Sequence, residues 1–304
     1  MSIFKGSGVA LITPFKKTRK GNIRVDYDNL EKLVNYHINN NTDSIIICGT
    51  TGESSTLSDR EHLETIGKCV EFAKGKIPVI AGTGSNETPH AIRLSQGAEE
   101  RGADGLLCVT PYYNKTNQEG LKLYYKRIAD SVNIPIIMYN VPSRTGLNIE
   151  PQTAIEIAKE NENVIGIKEA SGNLENVKKI AKSKELDIYS GNDDQIFDVI
   201  NEGGIGVISV FANIFPNEAH NIVYEYLNGN KEKSRRMQIE ALEVIKELFN
   251  DVNPIPIKKA MELENMCSGI IKEPLVELNE EKTMRLMKAI NKYKNRKAWK
   301  PFSL

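Results

Sequence analysis

The sequence predicts an α/β chain folded as a (β/α)8 TIM barrel with a C-terminal helical appendage, and three observations carry that expectation. Eight short runs rich in Ile and Val recur between helical patterns, and strand–helix–strand repetition implies parallel pairing. The first run ends in Thr13-Pro14-Phe15, where an open doubly wound sheet would carry a glycine fingerprint. After about residue 230 the strand signals stop. At 304 residues the chain fits a barrel of roughly 250 residues with additions.

The eight runs are Gly8 to Phe15, Ser44 to Thr51, Pro78 to Gly84, Gly105 to Pro111, Pro135 to Pro142, Val164 to Ser171, Asp187 to Asp193 and Gly206 to Asn213. Between them, Asp26 to Asn40 places Leu30, Leu33, Val34 and His37 on one helical stripe. Thr88-Pro89 reads as an N-cap followed by proline in the first turn. Lys231 to Phe249 carries Met237, Ile239, Leu242, Ile245 and Leu248 at near-helical spacing. Asn253-Pro-Ile-Pro256 then breaks the chain before further helical pattern to Lys294. The expected organisation is a catalytic barrel over residues 1–229 and a C-terminal helical domain of three helices over 230–304.

Forty basic residues balance forty acidic ones, with pI near 6.9. That leaves no electrostatic footprint for nucleic acid or an anionic membrane, and favours a small-molecule partner. The amino terminus lacks the apolar core of a secretory signal, and no run approaches a membrane span. Cys48, Cys69, Cys108 and Cys267 are scattered, without a CxxC pair or a metal-ligand spacing to the histidines. A cytoplasmic protein with reduced thiols, no metal and no cofactor is expected.

The chemistry centres on Lys168, at the end of the apolar strand Val164-Ile-Gly-Ile-Lys. A buried ammonium without a partner is driven toward the free amine, which can form a Schiff base with a carbonyl substrate. Strand alternation points Gly166 and Val164 to the same face as Lys168, with the glycine leaving room beside it. The plainer alternative is a strand-end lysine that reaches solvent or pairs with Glu169. Other polar groups gather at equivalent strand ends, where barrels of this kind build their sites. Gly49, Thr50, Thr51 and Gly52 can offer hydroxyls and N–H groups to a small carboxylate. Tyr139 can exchange protons with a carbinolamine, and Arg144 can bind a second carboxylate bidentately. Singly, each has a dull reading as a turn, a filler of the barrel or a solvated charge.

Together, GTTGES, TPYYN, YNVPSRTG, GIKEAS, the SGND turn, GVISVFAN and NPIPIKKAM resemble the dihydrodipicolinate synthases, also called 4-hydroxy-tetrahydrodipicolinate synthases, across nearly the whole chain. These belong to a wider superfamily of pyruvate-dependent class I aldolases and lyases that includes N-acetylneuraminate lyase. The resemblance implies that Lys168 forms a Schiff base with pyruvate while Tyr139 donates and accepts protons, and that Thr50 links Tyr139 to Tyr113 of a neighbouring subunit. It implies that Thr51 and the backbone of Ile208 hold the pyruvate carboxylate, that Gly191 lines the pocket, and that Arg144 takes the carboxylate of L-aspartate 4-semialdehyde. It further implies a homotetramer built as a dimer of tight dimers, acting in diaminopimelate and lysine biosynthesis. The alternatives are a sister lyase for a sugar-derived keto acid, against which Arg144 argues, and a non-catalytic keto-acid sensor, against which the proton relay argues.

Some members of that family are inhibited by lysine in a cleft between subunits, and the resemblance places its polar positions at Ser54, His62, Asn86 and Tyr112. The acid that should receive lysine's ammonium is replaced by His90, and a histidine position by Asp59. Weak or absent feedback inhibition is the expectation. The basic stretch Lys16-Lys-Thr-Arg-Lys-Gly21 is longer than the resemblance leads one to expect and has no catalytic meaning.

Overall fold

In the computed structural model, which describes residues 2–296, eight parallel strands close into a barrel in the order β1-β10-β9-β8-β7-β6-β5-β4. They are β1 (Gly6–Ala10), β4 (Ser44–Ile47), β5 (Val79–Gly82), β6 (Gly105–Val109), β7 (Ile136–Asn140), β8 (Val164–Glu169), β9 (Asp187–Ser190) and β10 (Gly206–Ser209). Each lies within or beside an apolar run expected from the sequence and stops before its polar end, so those ends form loops at the carboxyl rim. The basic stretch of unassigned purpose forms a hairpin of β2 (Phe15–Lys17) and β3 (Ile23–Val25). Its strands pair Lys16 with Arg24, and the Lys16 ammonium lies 2.7 Å from Asp26 and 2.8 Å from Asp28.

Helices surround the barrel: α1 (Tyr27–Asn39), α2 (Asp59–Ala73), α3 (Thr88–Glu99), α4 (Gln118–Ala129), the single turn α5 (Pro142–Thr145), α6 (Pro151–Glu160), α7 (Leu174–Ser183), α8 (Ile196–Asn201) and α9 (Pro216–Leu227). Helix α1 buries the predicted stripe Leu30, Leu33, Val34 and His37. Helix α3 begins one residue earlier than its sequence suggests: Glu87 holds the N-cap position, Thr88 is the first helical residue, and neither caps with its side chain. The free N–H of Glu87 is taken by the Ser85 hydroxyl at 3.3 Å.

The three expected C-terminal helices are α10 (Lys231–Leu248), α11 (Ile255–Leu263) and α12 (Glu280–Asn295), and residues 297–304 of the expected unit lie outside the described residues. The buried face of α10 differs from the apolar stripe. Ile239 and Leu242 are exposed, whereas Ser234, Gln238, Ala241, Val244, Ile245 and Leu248 are buried. Two of these are polar and satisfied: Ser234 Oγ donates to the Ile222 carbonyl at 2.6 Å, and Gln238 Nε2 to that of Asp193 at 3.0 Å. Helical side chains of α10 and α12 share one hydrophobic cluster with the barrel's outer layer.

A second, smaller cluster fills the barrel itself, with Ala10, Ile46, Ile80, Leu107, Ile137, Tyr189 and Ile208. Phe4 plugs it from below, stacked 4.4 Å from Tyr189, whose hydroxyl donates to the Phe4 carbonyl. This is the packed interior expected of a small parallel barrel, and it forms the floor of the site above. Alternation along β8 is interrupted: Ile136 pairs Val164 but Ile137 pairs Gly166, so Ile165 is an extra residue. Val164 therefore packs with Ile167 in the outer layer, not with Lys168. Among the described residues, no helix is long and apolar enough to cross a membrane.

Candidate active site

Lys168 and Tyr139 are partners in register on adjacent strands β8 and β7, and both face the barrel axis. The Lys168 ammonium lies 4.5 Å from the centre of the Tyr139 ring, and both residues are buried. Glu169, the simplest counter-ion, points the other way because successive strand residues alternate. Its carboxylate accepts from Asn140 Nδ2 at 2.9 Å and from the Ser171 N–H at 2.7 Å. Burial pushes Lys168 down to about 8 from its ordinary 10.5. The negative charge of Asp193 partly offsets that fall, and the positive charge of Arg144 adds to it. Burial raises the Tyr139 phenol, opposed by Arg144 and by a hydrogen bond from the Thr50 hydroxyl.

The glycines act differently from expectation. Gly166 leaves space for the Tyr189 ring and the Asp187 backbone, not for the lysine. Gly191 is the one that makes room: a Cβ there would stand 3.1 Å from Lys168 Cε and 2.5 Å from Ala170 Cβ. In the turn after β4, the Gly52 N–H is spent on the Gly49 carbonyl at 3.0 Å, so this glycine serves the turn instead of a ligand. Thr50 and Thr51 remain turned to the cavity, which measures about 210 Å³ and is also lined by Tyr139, Arg144, Lys168 and Gly191.

Arg144, in α5, reaches this cavity and donates from Nη2 to the Asn253 carbonyl at 3.0 Å. Asn253 was not singled out by the sequence, yet it lines the cavity and its Nδ2 donates to Thr51 Oγ1 at 3.0 Å. Its Oδ1 is buried without a hydrogen-bond partner among the described residues. Asp193 ends the SGND turn after β9. It is 2 % exposed and accepts from the N–H groups of Val210 and Phe211 at 3.0 and 2.9 Å, which makes it both a brace for the end of β10 and the acidic charge nearest in effect to Lys168.

Two expected residues stand apart from the cavity. Ile208 lies one layer lower, in the barrel-filling cluster, and Val210, just past the end of β10, lines the wall in its stead. Tyr113 is 90 % exposed, on a backbone with φ of 71°. Ser54, Asp59, His62, His90 and Tyr112 come together around a second cavity of about 340 Å³, which shares Thr50 and Arg144 with the first. Asn86 is not part of its wall; its carbonyl accepts from Asn114 Nδ2 at 2.8 Å. His90 is held from both sides, Nδ1 by Ser85 Oγ at 3.0 Å and Nε2 by Asp59 Oδ1 at 2.9 Å.

A desolvated amine, a phenol in register with it and hydroxyls on a neighbouring turn form a constellation suited to Schiff-base chemistry on a small keto acid. Residues 3–293 match the family model described as the Dihydrodipicolinate synthetase family. Over 294 residues the chain is 55% identical to a 4-hydroxy-tetrahydrodipicolinate synthase of Caldicellulosiruptor bescii, covering 96% of this chain and 98% of that protein. It is similar to a solved chloride-inhibited dihydrodipicolinate synthase from Acinetobacter baumannii complexed with pyruvate, at a TM-score of 0.91 and 39% identity over 95% of this chain and 98% of that one. It is similar also to a solved enzyme of that name from Cyanidioschyzon merolae with lysine bound, at a TM-score of 0.92 and 34% identity over 96% and 99% of the two chains.

Proposed function

The chain belongs to the dihydrodipicolinate synthetase family, and on that premise we propose that it condenses pyruvate with L-aspartate 4-semialdehyde, as a 4-hydroxy-tetrahydrodipicolinate synthase does. The observation that carries this reading is the buried amine of Lys168 beside Tyr139, at the mouth of a closed barrel. The neutral amine attacks the keto carbon of pyruvate. Tyr139 passes a proton to the carbinolamine oxygen, water leaves, and an imine joins substrate to enzyme. Loss of a methyl proton gives the enamine, whose carbon bonds the aldehyde carbon of the second substrate. That substrate's own amine then attacks the imine carbon, closes the ring and releases Lys168.

Thr51 supports binding of the pyruvate carboxylate, and the guanidinium of Arg144 supports binding of the semialdehyde's carboxylate. A cationic group at that wall favours an acidic aldehyde over a sugar, which separates this reading from a lyase for sugar-derived keto acids. We infer also that the enzyme works in the cytoplasm on the route to diaminopimelate and lysine, without a cofactor, as a homotetramer in which Tyr113 serves a neighbour's site. Its ring stands outside its own chain's cavity and is exposed, which leaves it able to reach a neighbouring subunit.

Borohydride reduction in the presence of pyruvate tests the assignment. The adduct is expected on the peptide containing Lys168, and Lys168→Arg should remain folded and form none, since guanidinium keeps its proton at any workable pH. Trapping at a different lysine in the unsubstituted chain would reject it.

A further inference from the structure

We propose that Lys258 is a positioning residue of the keto-acid site, acting through Glu53 on the turn that presents Thr50 and Thr51. The inference rests on the pyruvate reading above. Both residues fall in motifs quoted from the sequence, GTTGES and NPIPIKKAM, and neither has a part in the chemistry. Their side chains are each 1% exposed and form an ion pair at 2.9 Å. The Lys258 ammonium donates to the carbonyls of Thr13 at 2.6 Å and Ile270 at 2.9 Å, and it meets Glu53 Oε1 as an ion pair without a hydrogen bond to that oxygen. The ring of Phe15 lies 4.2 Å from it. The second oxygen of Glu53 accepts from the Lys272 N–H at 2.9 Å.

These bonds converge on one turn. Glu53 closes it at a φ of 54°, in the left-handed region that a residue with a Cβ seldom adopts unless held there. Its N–H donates to the Thr50 carbonyl at 3.1 Å. Thr13, whose carbonyl Lys258 grips, donates its hydroxyl to the Gly52 carbonyl at 2.6 Å. Lys258 therefore fixes Glu53 directly and Gly52 through Thr13, on the side of the turn away from the cavity. On the cavity side Asn253 holds the Thr51 hydroxyl. A buried ion pair contributes little net stability compared with apolar packing. What it does supply here is a fixed backbone where Thr50 must meet Tyr139 and Thr51 the ligand.

The test is steady-state kinetics of full-length Glu53→Gln and Lys258→Met, with rates expressed per active site counted by borohydride trapping with pyruvate. Glu53→Gln keeps the side-chain shape and removes the charge. In both variants KM for pyruvate should rise about tenfold and kcat fall about tenfold to a hundredfold, as small misplacements of reacting groups do. KM for L-aspartate 4-semialdehyde, served by Arg144, should change less than about threefold. A folded Glu53→Gln enzyme with unaltered pyruvate KM and kcat per trapped site would overturn the inference, since a role confined to stability changes only the number of sites. If Lys258→Met does not fold, Glu53→Gln decides alone. Absence of pyruvate trapping in the unsubstituted protein sinks the functional reading instead; trapping there, with normal kinetics in Glu53→Gln, sinks only the positioning role.

Discussion

At the scale of single residues, the reactivity of Lys168 is set by a contest between burial and two charges of opposite sign. Its folded value near 8 lies below the ordinary 10.5, so between those pH values the folded chain binds fewer protons than the unfolded one. The destabilisation from burying this charge is therefore full below about pH 8 and fades as pH rises toward 10.5. The rate of pyruvate trapping should rise with pH through a midpoint near 8. Asp193→Asn removes the charge that favours the ammonium and should move that midpoint down, whereas Arg144→Leu should move it up. Stopped-time trapping across a pH series reads both, and shifts of the same sign would contradict the electrostatic account. Lys168, Tyr139 and the threonines were legible in the sequence because strand ends of a barrel announce where they point. Asn253 and Asp193 were not, since their roles arise from contacts with Thr51, Arg144 and the end of β10 that no local spacing encodes.

Among the elements, α10 shows how an apolar stripe can mislead. The helix packs through Gln238, which accepts from the Phe197 N–H at 3.2 Å while donating to the Asp193 carbonyl, and this polar anchor turns Ile239 and Leu242 outward. Leu248→Ala, at a fully buried position, should cost about 2–5 kcal/mol, and Ile239→Ala, at a position 57% exposed, within about 0.5 kcal/mol. Urea midpoints of the two variants check this, and equal losses would restore the simple stripe. The same distinction explains β8. Period-two reasoning put Lys168 and Gly166 on one face but misread the glycine's purpose, and it failed at Val164, because the extra residue Ile165 has no signature in hydrophobicity. Short strands and well-spaced helices were readable; helix caps and bulges depend on backbone partners and were not.

For the whole molecule, the chain alone leaves Tyr113 pointing into solvent. If it completes a neighbour's proton relay, Tyr113→Phe should reduce turnover by roughly 10²–10⁴. Mixing it with Lys168→Arg subunits should then recover activity in hybrids; no recovery despite proven subunit exchange would argue against sharing. The second cavity gathers most of the residues that the resemblance assigns to a lysine cleft. Asp59, its one carboxylate among the lining residues, is already bonded to His90, so a lysine entering here would have an imidazole beside the acid meant for its ammonium. Initial rates at near-saturating pyruvate should stay nearly constant as lysine is titrated into the millimolar range, and clear inhibition below that range would identify Asp59 as the acid that receives it.

Asn253 and Lys258 enter the site from beyond the eighth strand. During synthesis, a nascent chain that has cleared the ribosome only as far as Asn230 holds all eight strands and the lysine nucleophile, but no clasp on Thr51 and no counter-ion for Glu53. On the positioning role proposed for Lys258, a chain shortened to Asn230 keeps Lys168 but should fail to hold Thr50 and Thr51 in place.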